Sequence, residues 1–292
     1  MAKEIYSLYN GEIILEYDPI QHTYVVNGKP VLSVTTIVSI LDKSEALMNW
    51  AVNKVKEFLE AQLVVGKVYD ELEKQELLIE AVQAHKKHSR RAKDIGTFVH
   101  EWLQKYIESK IKNLPPPPLP LNIYIRKSVE AFLKWERENK IQFLETERKI
   151  YSKTYNYAGT LDAEAITNNK IFIIDFKTSN AIHPEYFLQT SAYTQARSEE
   201  SGLKYEDPWV IKIGKDGTLE AQQMKNWEKN FEAFLSCLKL YRWRTEDVKL
   251  HFKNHFQNLK NNNSNNYNPV NHYSKNNEIL NQKDNNSFKP LP

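Results

Sequence analysis

Residues 158–179 constrain this chain most, because they have the pattern of a β-hairpin with acidic residues on one face. Apolar and polar residues alternate with a period of two on both sides of Asn168-Asn169, as in paired strands with one buried face. Asparagine tolerates the positive φ angles that a two-residue hairpin turn requires. If these two residues form the turn, Thr167 pairs with Lys170 and Asp162 lies directly opposite Asp175.

Opposed residues of an antiparallel pair share a face, with Cβ atoms about 4.5–5.5 Å apart. Lys177 follows Asp175 by two residues and therefore lies on the same face. Two carboxylates that close repel each other and would destabilise the hairpin. A pair of aspartates with a lysine beside them, among apolar strand residues, indicates a divalent cation held for hydrolysis.

The strand that precedes this hairpin offers a further carboxylate. The segment L-E-T-E-R-K-I-Y-S leads into a turn around Thr154-Tyr155. If Ser152 pairs with Tyr157 across that turn, Glu147 also lies opposite Asp162.

A long helical region, from about residue 69 to 112, contains a histidine at the edge of its apolar face. The periodicity places His100 beside the stripe, from where it can reach a neighbouring sheet face, while Glu101 points to solvent. A half-buried histidine with ordinary partners is the alternative to a metal ligand. Gly96, which weakens a helix, is consistent with close packing there. The predicted apolar stripe consists of Ile95, Phe98, Val99, Trp102, Leu103 and Tyr106.

The same helix carries a run of basic residues just before His100. The run H-K-K-H-S-R-R-A-K occupies residues 85–93. Such runs are often solvated helix faces, but the adjacent candidate site favours a patch that contacts phosphates. The candidate DNA-binding cations are Lys86, Lys87, Arg90 and Arg91.

Two polar groups elsewhere allow either a packing role or contact with a nucleic acid. Ser33 and Thr35 lie in the apolar segment V-L-S-V-T-T-I, where they either pack or touch phosphates. Gln189 and Tyr193 are four residues apart and project from one face of a helix that begins at Pro184.

The bulk properties exclude several classes of protein. The 292 residues include a single cysteine, which excludes a disulfide framework and a four-cysteine iron–sulfur cluster. A net charge of +3 permits a nucleic-acid partner without demanding one. No apolar run is long enough to span a membrane, and the first residues lack the core of a signal peptide. We therefore expect a soluble, cytoplasmic protein.

Composition divides the chain into three predicted parts. Residues 1–66 form an N-terminal β-hairpin and helix on the DNA-binding side, and residues 67–250 form the core. Residues 251–292 are rich in asparagine and poor in apolar residues, which predicts a disordered tail.

Four motifs occur in an order that resembles the PD-(D/E)XK nuclease superfamily, in its RecB-like exonuclease branch. They are G-T-x-V-H, G-T-L-D, I-I-D-F-K-T-S and Q-x-x-x-Y, within about residues 90–245. The N-terminal S-V-T-T-I block and Asn49-Trp50-Ala51 also resemble phage-type and mitochondrial genome-maintenance exonucleases. The resemblance implies an α/β (α+β) fold: a restriction-endonuclease-like core whose central mixed β-sheet is flanked by helices, with an N-terminal β-hairpin and helical extension.

The resemblance also implies roles for the candidate residues. His100, Asp162, Asp175 and the carbonyl of Phe176 would ligate Mg²⁺ or Mn²⁺, ions that carboxylate and carbonyl oxygens suit. Lys177 would position or activate water, or stabilise charge on the phosphate. Glu147 would be a second carboxylate, and Gln189 and Tyr193 would orient the DNA strand or the lysine.

The function so implied is a metal-dependent DNA exonuclease that acts on single strands or duplex ends in repair, recombination or replication. Relatives with an iron–sulfur cluster carry four cysteines, so no such cluster is expected here. The alternatives are a structure- or sequence-specific endonuclease of the same superfamily and a non-catalytic DNA-binding module. The expected partner is DNA, and the sequence does not identify any protein partner.

Overall fold

The structure is a computed structural model that describes residues 3–248, the side chains of Arg91 and Asp247 excepted. The chain divides after Trp243 into two units, Met1–Trp243 and Arg244–Pro292. Of the second unit only residues 244–248 are described, within a short π-helical segment, Trp243–Asp247. The predicted tail, residues 251–292, lies outside the described residues.

Strands and helices follow one another in blocks along the first unit. Nine strands occur in the described part: β1 (Glu4–Leu8), β2 (Ile13–Asp18), β3 (Thr23–Val26), β4 (Lys29–Ser33), β5 (Gln142–Ser152), β6 (Tyr157–Thr167), β7 (Lys170–Lys177), β8 (Trp209–Ile213) and β9 (Leu219–Gln223). The helices are α1 (Val34–Val38), α2 (Ser44–Gln62), α3 (Glu71–Ile111), α4 (Ile123–Glu138), α5 (Pro184–Ser201) and α6 (Trp227–Arg242). A 3-10 turn, Tyr9–Gly11, links β1 to β2.

The strands form one mixed sheet in the order β1-β2-β3-β4-β6-β7-β8-β9, with β5 paired to the other edge of β6. The β4–β6 and β7–β8 pairs are parallel, and the remaining pairs are antiparallel. The N-terminal meander, β1 to β4, therefore continues the central sheet rather than standing apart from it. The predicted boundary at residue 66 falls between α2 and α3, inside the first unit.

Strands β4 and β7 pair with different parts of one edge of β6, and the sheet is open between them. Strand β5 covers one edge of β6 along its length. On the opposite edge, β4 pairs only with Tyr157 and Ala158, and β7 pairs only with Ala163 to Thr167. Residues 159–162 of β6 therefore lie where two strands diverge, and within the described part of the chain they pair with no strand on that edge.

Helices cover both faces of the central strands. On one face α3 and α4 pack on apolar residues of β6 and β7 such as Ala163, Ile174 and Phe176. On the other face α1, α5 and α6 pack on Ile173 and Tyr157. A third cluster holds the N-terminal meander together. The predicted fold class, a mixed sheet flanked by helices, is confirmed.

The apolar stripe of α3 is narrower than its periodicity predicts. Val99, Trp102, Leu103 and Tyr106 are buried as expected, but Phe98 is 55% exposed, so its assignment to the core was wrong. Phe98 lies at the edge of the stripe, beyond the reach of α4 and the sheet. No helix within residues 3–248 combines the length and hydropathy needed to cross a membrane.

Candidate functional site

The hairpin at the centre of the sheet has the predicted turn and register. Thr167 pairs with Lys170, and the ladder runs without a shift to Ala163 opposite Ile174. Asn168 and Asn169 have φ angles of 49° and 59°, in the left-handed region that this turn requires. The next position in the same register places Asp162 and Asp175 opposite each other, where the strands begin to separate.

The two aspartates have different partners. Asp162 is partly exposed, and its Oδ2 accepts a hydrogen bond of 2.7 Å from the backbone N–H of Phe176. Asp175 is 1% exposed, and its buried Oδ2 has no partner that meets hydrogen-bond geometry. Burial raises the pKa of Asp175 to about 7; Lys177 opposes that rise, and Asp162 adds to it by repulsion. A buried carboxylate without a good donor is a site that a cation would stabilise.

Lys177 supplies the positive charge nearest to Asp175. Its Nζ lies 2.6 Å from Asp175 Oδ2, and 19% of the side chain is exposed. Burial lowers the pKa of Lys177, but the Asp175 and Asp162 carboxylates outweigh that effect and leave its pKa raised. The Tyr186 ring, on α5, lies 5.0 Å from the same Nζ. Lys177 is thus held as a charged group at the edge of the site.

Glu147 occupies the predicted place in β5 with an unusual backbone. Ser152 pairs with Tyr157 as predicted, and the ladder places Glu147 opposite Asp162. Glu147 itself has a φ of 50°, a left-handed conformation that interrupts the strand pairing at this point. Burial and the Asp162 carboxylate raise the pKa of Glu147 to about 7, while Lys149 opposes the rise. The carboxylate therefore adds negative charge to the site at a cost in stability.

His100 lies near Asp162 but does not complete a metal site with the carboxylates. Its Nδ1 lies 3.9 Å from Asp162 Oδ2, and 36% of the side chain is exposed. Within residues 3–248 no three acidic, imidazole or thiol side chains converge tightly enough to make a ready metal cluster. The structure therefore brings His100 beside Asp162 but does not place the candidate ligands around one point.

A cavity of about 290 Å³ brings together the candidate carboxylates and Lys177, and His100 is not among the residues that line it. Gln189 and Tyr193 line it from α5, and Gln189 Nε2 donates a hydrogen bond of 2.7 Å to the Tyr193 hydroxyl. Gly159 allows this arrangement, because a Cβ there would lie 2.8 Å from the Tyr193 ring. The lining comprises Tyr17, His22, Tyr24, Ser33, Val34, Thr35, Glu147, Gly159, Thr160, Asp162, Asp175, Lys177, Gln189 and Tyr193.

The N-terminal meander contributes residues that the sequence analysis missed. Tyr17, His22 and Tyr24 form one wall of the cavity. The Tyr17 hydroxyl lies 2.8 Å from His22 Nδ1, and the Tyr24 hydroxyl lies 2.8 Å from Thr160 Oγ1. The alternation of β2 and β3 identifies these tyrosines only as core candidates. Their place in the cavity depends on the parallel pairing of β4 with β6, which has no local signal.

The remaining candidates lie at different distances from the cavity. Ser33 and Thr35 line it, but Ser33 Oγ accepts from the backbone N–H of Thr36 and so caps α1. Lys86, Lys87 and Arg90 are exposed on α3 and do not line the cavity. The side chain of Arg91 lies outside the described residues.

Gly96 is required by close packing of α3 on the end of β7, as its position suggested. A Cβ at Gly96 would lie 2.5 Å from Thr178 Oγ1 and 3.6 Å from Thr178 Cβ. Thr178 follows Lys177 directly, and Gly96 precedes His100 by one turn. This contact sets the distance between the helix with His100 and the strand with Asp175.

We expect Gly96→Ala to destabilise the protein by about 1–2 kcal/mol, because overpacking costs more than the helix gains from alanine. Thr178→Ala removes the clashing hydroxyl and leaves an ordinary contact at 3.6 Å. The double variant Gly96→Ala/Thr178→Ala should therefore recover the loss. Urea denaturation measures all three variants, and a double variant no more stable than Gly96→Ala would contradict the contact.

Comparison with known proteins yields distant structural matches only. No protein-family model and no curated protein matches this sequence. An alkaline exonuclease from Laribacter hongkongensis (LHK-Exo) aligns with 55% of this chain and 85% of its own, at 11% identity and a TM-score of 0.33. The crystal structure of SSO0001 aligns with 68% of this chain and 85% of its own, at 14% identity and a TM-score of 0.25. At these values neither match carries a functional argument.

Proposed function

We propose that the chain is a metal-dependent nuclease that hydrolyses phosphodiester bonds of DNA at the cavity between β4 and β7. The observation that carries this proposal is the meeting of Asp162, Asp175 and Lys177 where the strands diverge, with Asp175 buried and its Oδ2 paired with the Lys177 ammonium at 2.6 Å. Two opposed carboxylates, one of them buried, destabilise a folded chain. Catalytic sites are where buried carboxylates and like-charge pairs are found most often, because catalysis uses their perturbed pKa values.

The donor chemistry fits a hard divalent cation. Carboxylate oxygens and one imidazole are ligands that Mg²⁺ or Mn²⁺ accepts, and the opposed Asp162 and Asp175 carboxylates carry more negative charge than the single Lys177 ammonium neutralises. Asp162, Asp175, His100 and the Phe176 carbonyl would hold the ion, with Glu147 as an additional carboxylate. When bound, such an ion makes water nucleophilic near neutral pH and neutralises charge on the phosphate.

The residues of the chain would supply orientation and charge. The Lys177 ammonium stands at the edge of the cavity, from where it would donate to a phosphate oxygen and stabilise the charge that develops there. Gln189 holds the Tyr193 hydroxyl, and this pair would orient the strand beside Lys177. Ser33 and Thr35 line the cavity wall opposite α5 and would contact a phosphate there. Lys86, Lys87, Arg90 and Arg91 would attract DNA towards the site.

The test is incubation of the full chain with 5′- and 3′-labelled single- and double-stranded DNA, with Mg²⁺, with Mn²⁺ and with a chelator. We expect hydrolysis only with a divalent ion, and Lys177→Met should reduce it to the background rate. Lys105→Met, an exposed lysine of α3, is the matched control and should leave the rate unchanged. Wild-type rates from Lys177→Met would contradict the proposed mechanism.

The same experiment separates the exonuclease from the alternatives. We propose action on strand ends, so a covalently closed circle should resist hydrolysis while the linear form is degraded. Efficient cutting of a closed single-stranded circle would indicate an endonuclease. Tight binding of DNA without turnover in either metal would indicate a binding module and refute the nuclease.

A further inference from the structure

One face of α3 carries a line of polar residues that ends at His100. The line is defined by Lys86, Arg90, Lys93, Thr97 and His100, and we call it the α3 stripe. Its spacings of four, three, four and three residues keep every member within about 80° on a helix of 3.6 residues per turn. The first four side chains are exposed, and His100 is half-buried beside Asp162. The stripe is thus a continuous solvent-facing track of positive charge that leads to the site.

The neighbouring cation Lys87 belongs to a different face. It lies about 100° around the helix from Lys86 and forms an ion pair of 3.3 Å with Glu80. Within the described residues, Lys86, Arg90 and Lys93 form no ion pair. The basic run therefore divides into a paired cation and a stripe whose charges are available to a ligand.

The same face of α3 turns towards the carboxylates beyond His100. Gln104 and Glu108 continue the periodicity of the stripe and are hydrogen-bonded to each other at 3.0 Å. Helix α3 packs on β5, the strand that carries Glu147, so α3 borders the carboxylates of the site.

In the other direction the stripe gives way to apolar residues. Val82, Ile79 and Leu72 continue the same periodicity towards the start of α3, and all three are exposed. Helix α2 packs on a different side of α3, where Trp50 contacts the rings of His85 and His88. The face thus offers cations near the site and an aliphatic surface farther out, and the unpaired bases of a strand bound to the cations would cover that surface.

We infer that the α3 stripe binds one strand of single-stranded DNA and guides it from the start of α3 to His100. This inference rests on the proposed function and adds to it the strand state of the substrate. Duplex DNA offers phosphates but no base faces, so it would leave Val82, Ile79 and Leu72 in water. A single line of cations also matches one phosphate backbone rather than two.

The length of the stripe fixes how much of the strand it can contact. Lys86 precedes His100 by 14 residues, which corresponds to about 21 Å along the helix. At about 3.4 Å per phosphate in a stacked strand, this distance covers at most about six phosphates, and fewer in an extended strand. Strands of two or three nucleotides should therefore not reach Lys86.

The test compares two triple variants in the full chain, each also carrying Asp175→Asn so that bound DNA stays intact. One replaces Lys86, Arg90 and Lys93 by alanine, and the control replaces Lys105, Lys134 and Lys239, which are exposed on α3, α4 and α6. Fluorescence anisotropy measures binding of a labelled oligothymidylate of about 20 nucleotides as a function of salt. Each single-strand phosphate contact contributes about 0.7 to the slope of log affinity against log salt, so the stripe variant should lose about 2 and the control should lose far less.

Four outcomes decide the inference, and hydrolysis by the chain with Asp175 intact is measured in parallel. Equal slopes for the two triple variants would refute the stripe even if the enzyme is active. If the stripe variant loses salt dependence but the wild type hydrolyses no DNA, the proposed nuclease activity is refuted and binding of DNA by the α3 stripe is still supported. An equal loss of slope with a blunt duplex would refute the preference for single strands. A dimer in sedimentation experiments that Val82→Asp dissociates would assign the apolar end to a second copy and overturn the inference for that segment.

Discussion

Asp175→Asn should reduce DNA hydrolysis by about 100-fold or more and, in the presence of a chelator, make the protein more stable than the wild type. The two effects have one cause, which is the burial of this carboxylate beside Asp162. Asparagine keeps the shape of the side chain but carries no charge. It therefore removes both the proposed cation ligand and the charge that destabilises the folded protein.

The stability effect has a defined dependence on pH. Burial raises the pKa of Asp175 in the folded protein to about 7, above the usual 3.8 of the unfolded chain. Between these values the unfolded chain loses the proton first, so the folded state is progressively penalised as pH rises. The wild type should thus lose stability from about pH 4 to about pH 7, and the variant should lose less, because it retains only the contribution of Glu147. Asparagine also removes the carboxylate that pairs with the Lys177 ammonium, and the loss of this ion pair offsets part of the gain. We therefore expect Asp175→Asn to be more stable than the wild type by about 1–3 kcal/mol at pH 8.

Urea denaturation with and without Mn²⁺ checks this prediction. Asp94→Asn is the control, because it removes the same charge from an exposed position of α3. Mn²⁺ should stabilise the wild type and the control through binding to the folded state, and it should stabilise Asp175→Asn much less. A variant that is less stable than the wild type at pH 8 in chelator would show that Asp175 has a structural rather than a functional role.

Local chemistry made the centre of this site predictable. The Asn168-Asn169 turn fixes the register, and the register alone brings Asp162 and Asp175 together. Period-two alternation in two long strands is a strong signal, and the turn residues have a direct conformational reason. The pairing of β5 with β6, which places Glu147 opposite Asp162, followed from the same counting.

The surroundings of the site depend on contacts between distant parts of the chain. The pairing of β4 with β6 involves only Leu32 and Ser33 of β4, so no pattern in the sequence predicts it. That short contact nevertheless brings Tyr17 and His22 to the cavity. The left-handed backbone of Glu147 was equally hidden, because glutamate carries no preference for that conformation.

The basic run shows a limit of a different kind. The sequence analysis treated Lys86, Lys87, Arg90 and Arg91 as one patch, since charge density alone does not say which face meets the site. The structure separates Lys87, which pairs with Glu80, and adds Lys93 to the line that ends at His100. The helical periodicity of the sequence already places Lys87 on a different face from Lys86. It does not say which face leads to the site, because that depends on the position of His100 beside Asp162.

Arg197→Ala should destabilise the protein by about 3–5 kcal/mol, because it leaves a buried carboxylate without its partner. Arg197 Nε lies 2.7 Å from Glu164 Oε2, and the two residues are 7% and 3% exposed. Tyr205 donates a second hydrogen bond, of 2.9 Å, to the same carboxylate. Removal of the guanidinium leaves Glu164 with that single donor in the apolar layer between α5 and the sheet.

Arg126→Ala is the matched control, because its Nε forms a comparable contact of 3.1 Å with Glu130 in solvent. Exposed pairs of this kind contribute about 0–1 kcal/mol, so the control should be nearly as stable as the wild type. Urea denaturation followed by tryptophan fluorescence measures both variants. Equal losses for the two would show that burial does not amplify the Arg197 pair.

The Arg197 pair also tests how the site depends on the docking of α5. Gln189 and Tyr193 reach the cavity from the same helix, about two turns and one turn before Arg197, respectively. Arg197 also pairs with Glu200 at 2.8 Å, and Glu200 keeps a second partner in Arg148. The double variant Arg197→Met/Glu164→Met replaces the Arg197–Glu164 pair by apolar groups of similar length, and it should regain part of the lost stability. If α5 is then docked as before, the double variant should hydrolyse DNA at nearly the wild-type rate. Full stability with lost activity would instead show that the buried charges position Gln189 and Tyr193 for the reaction.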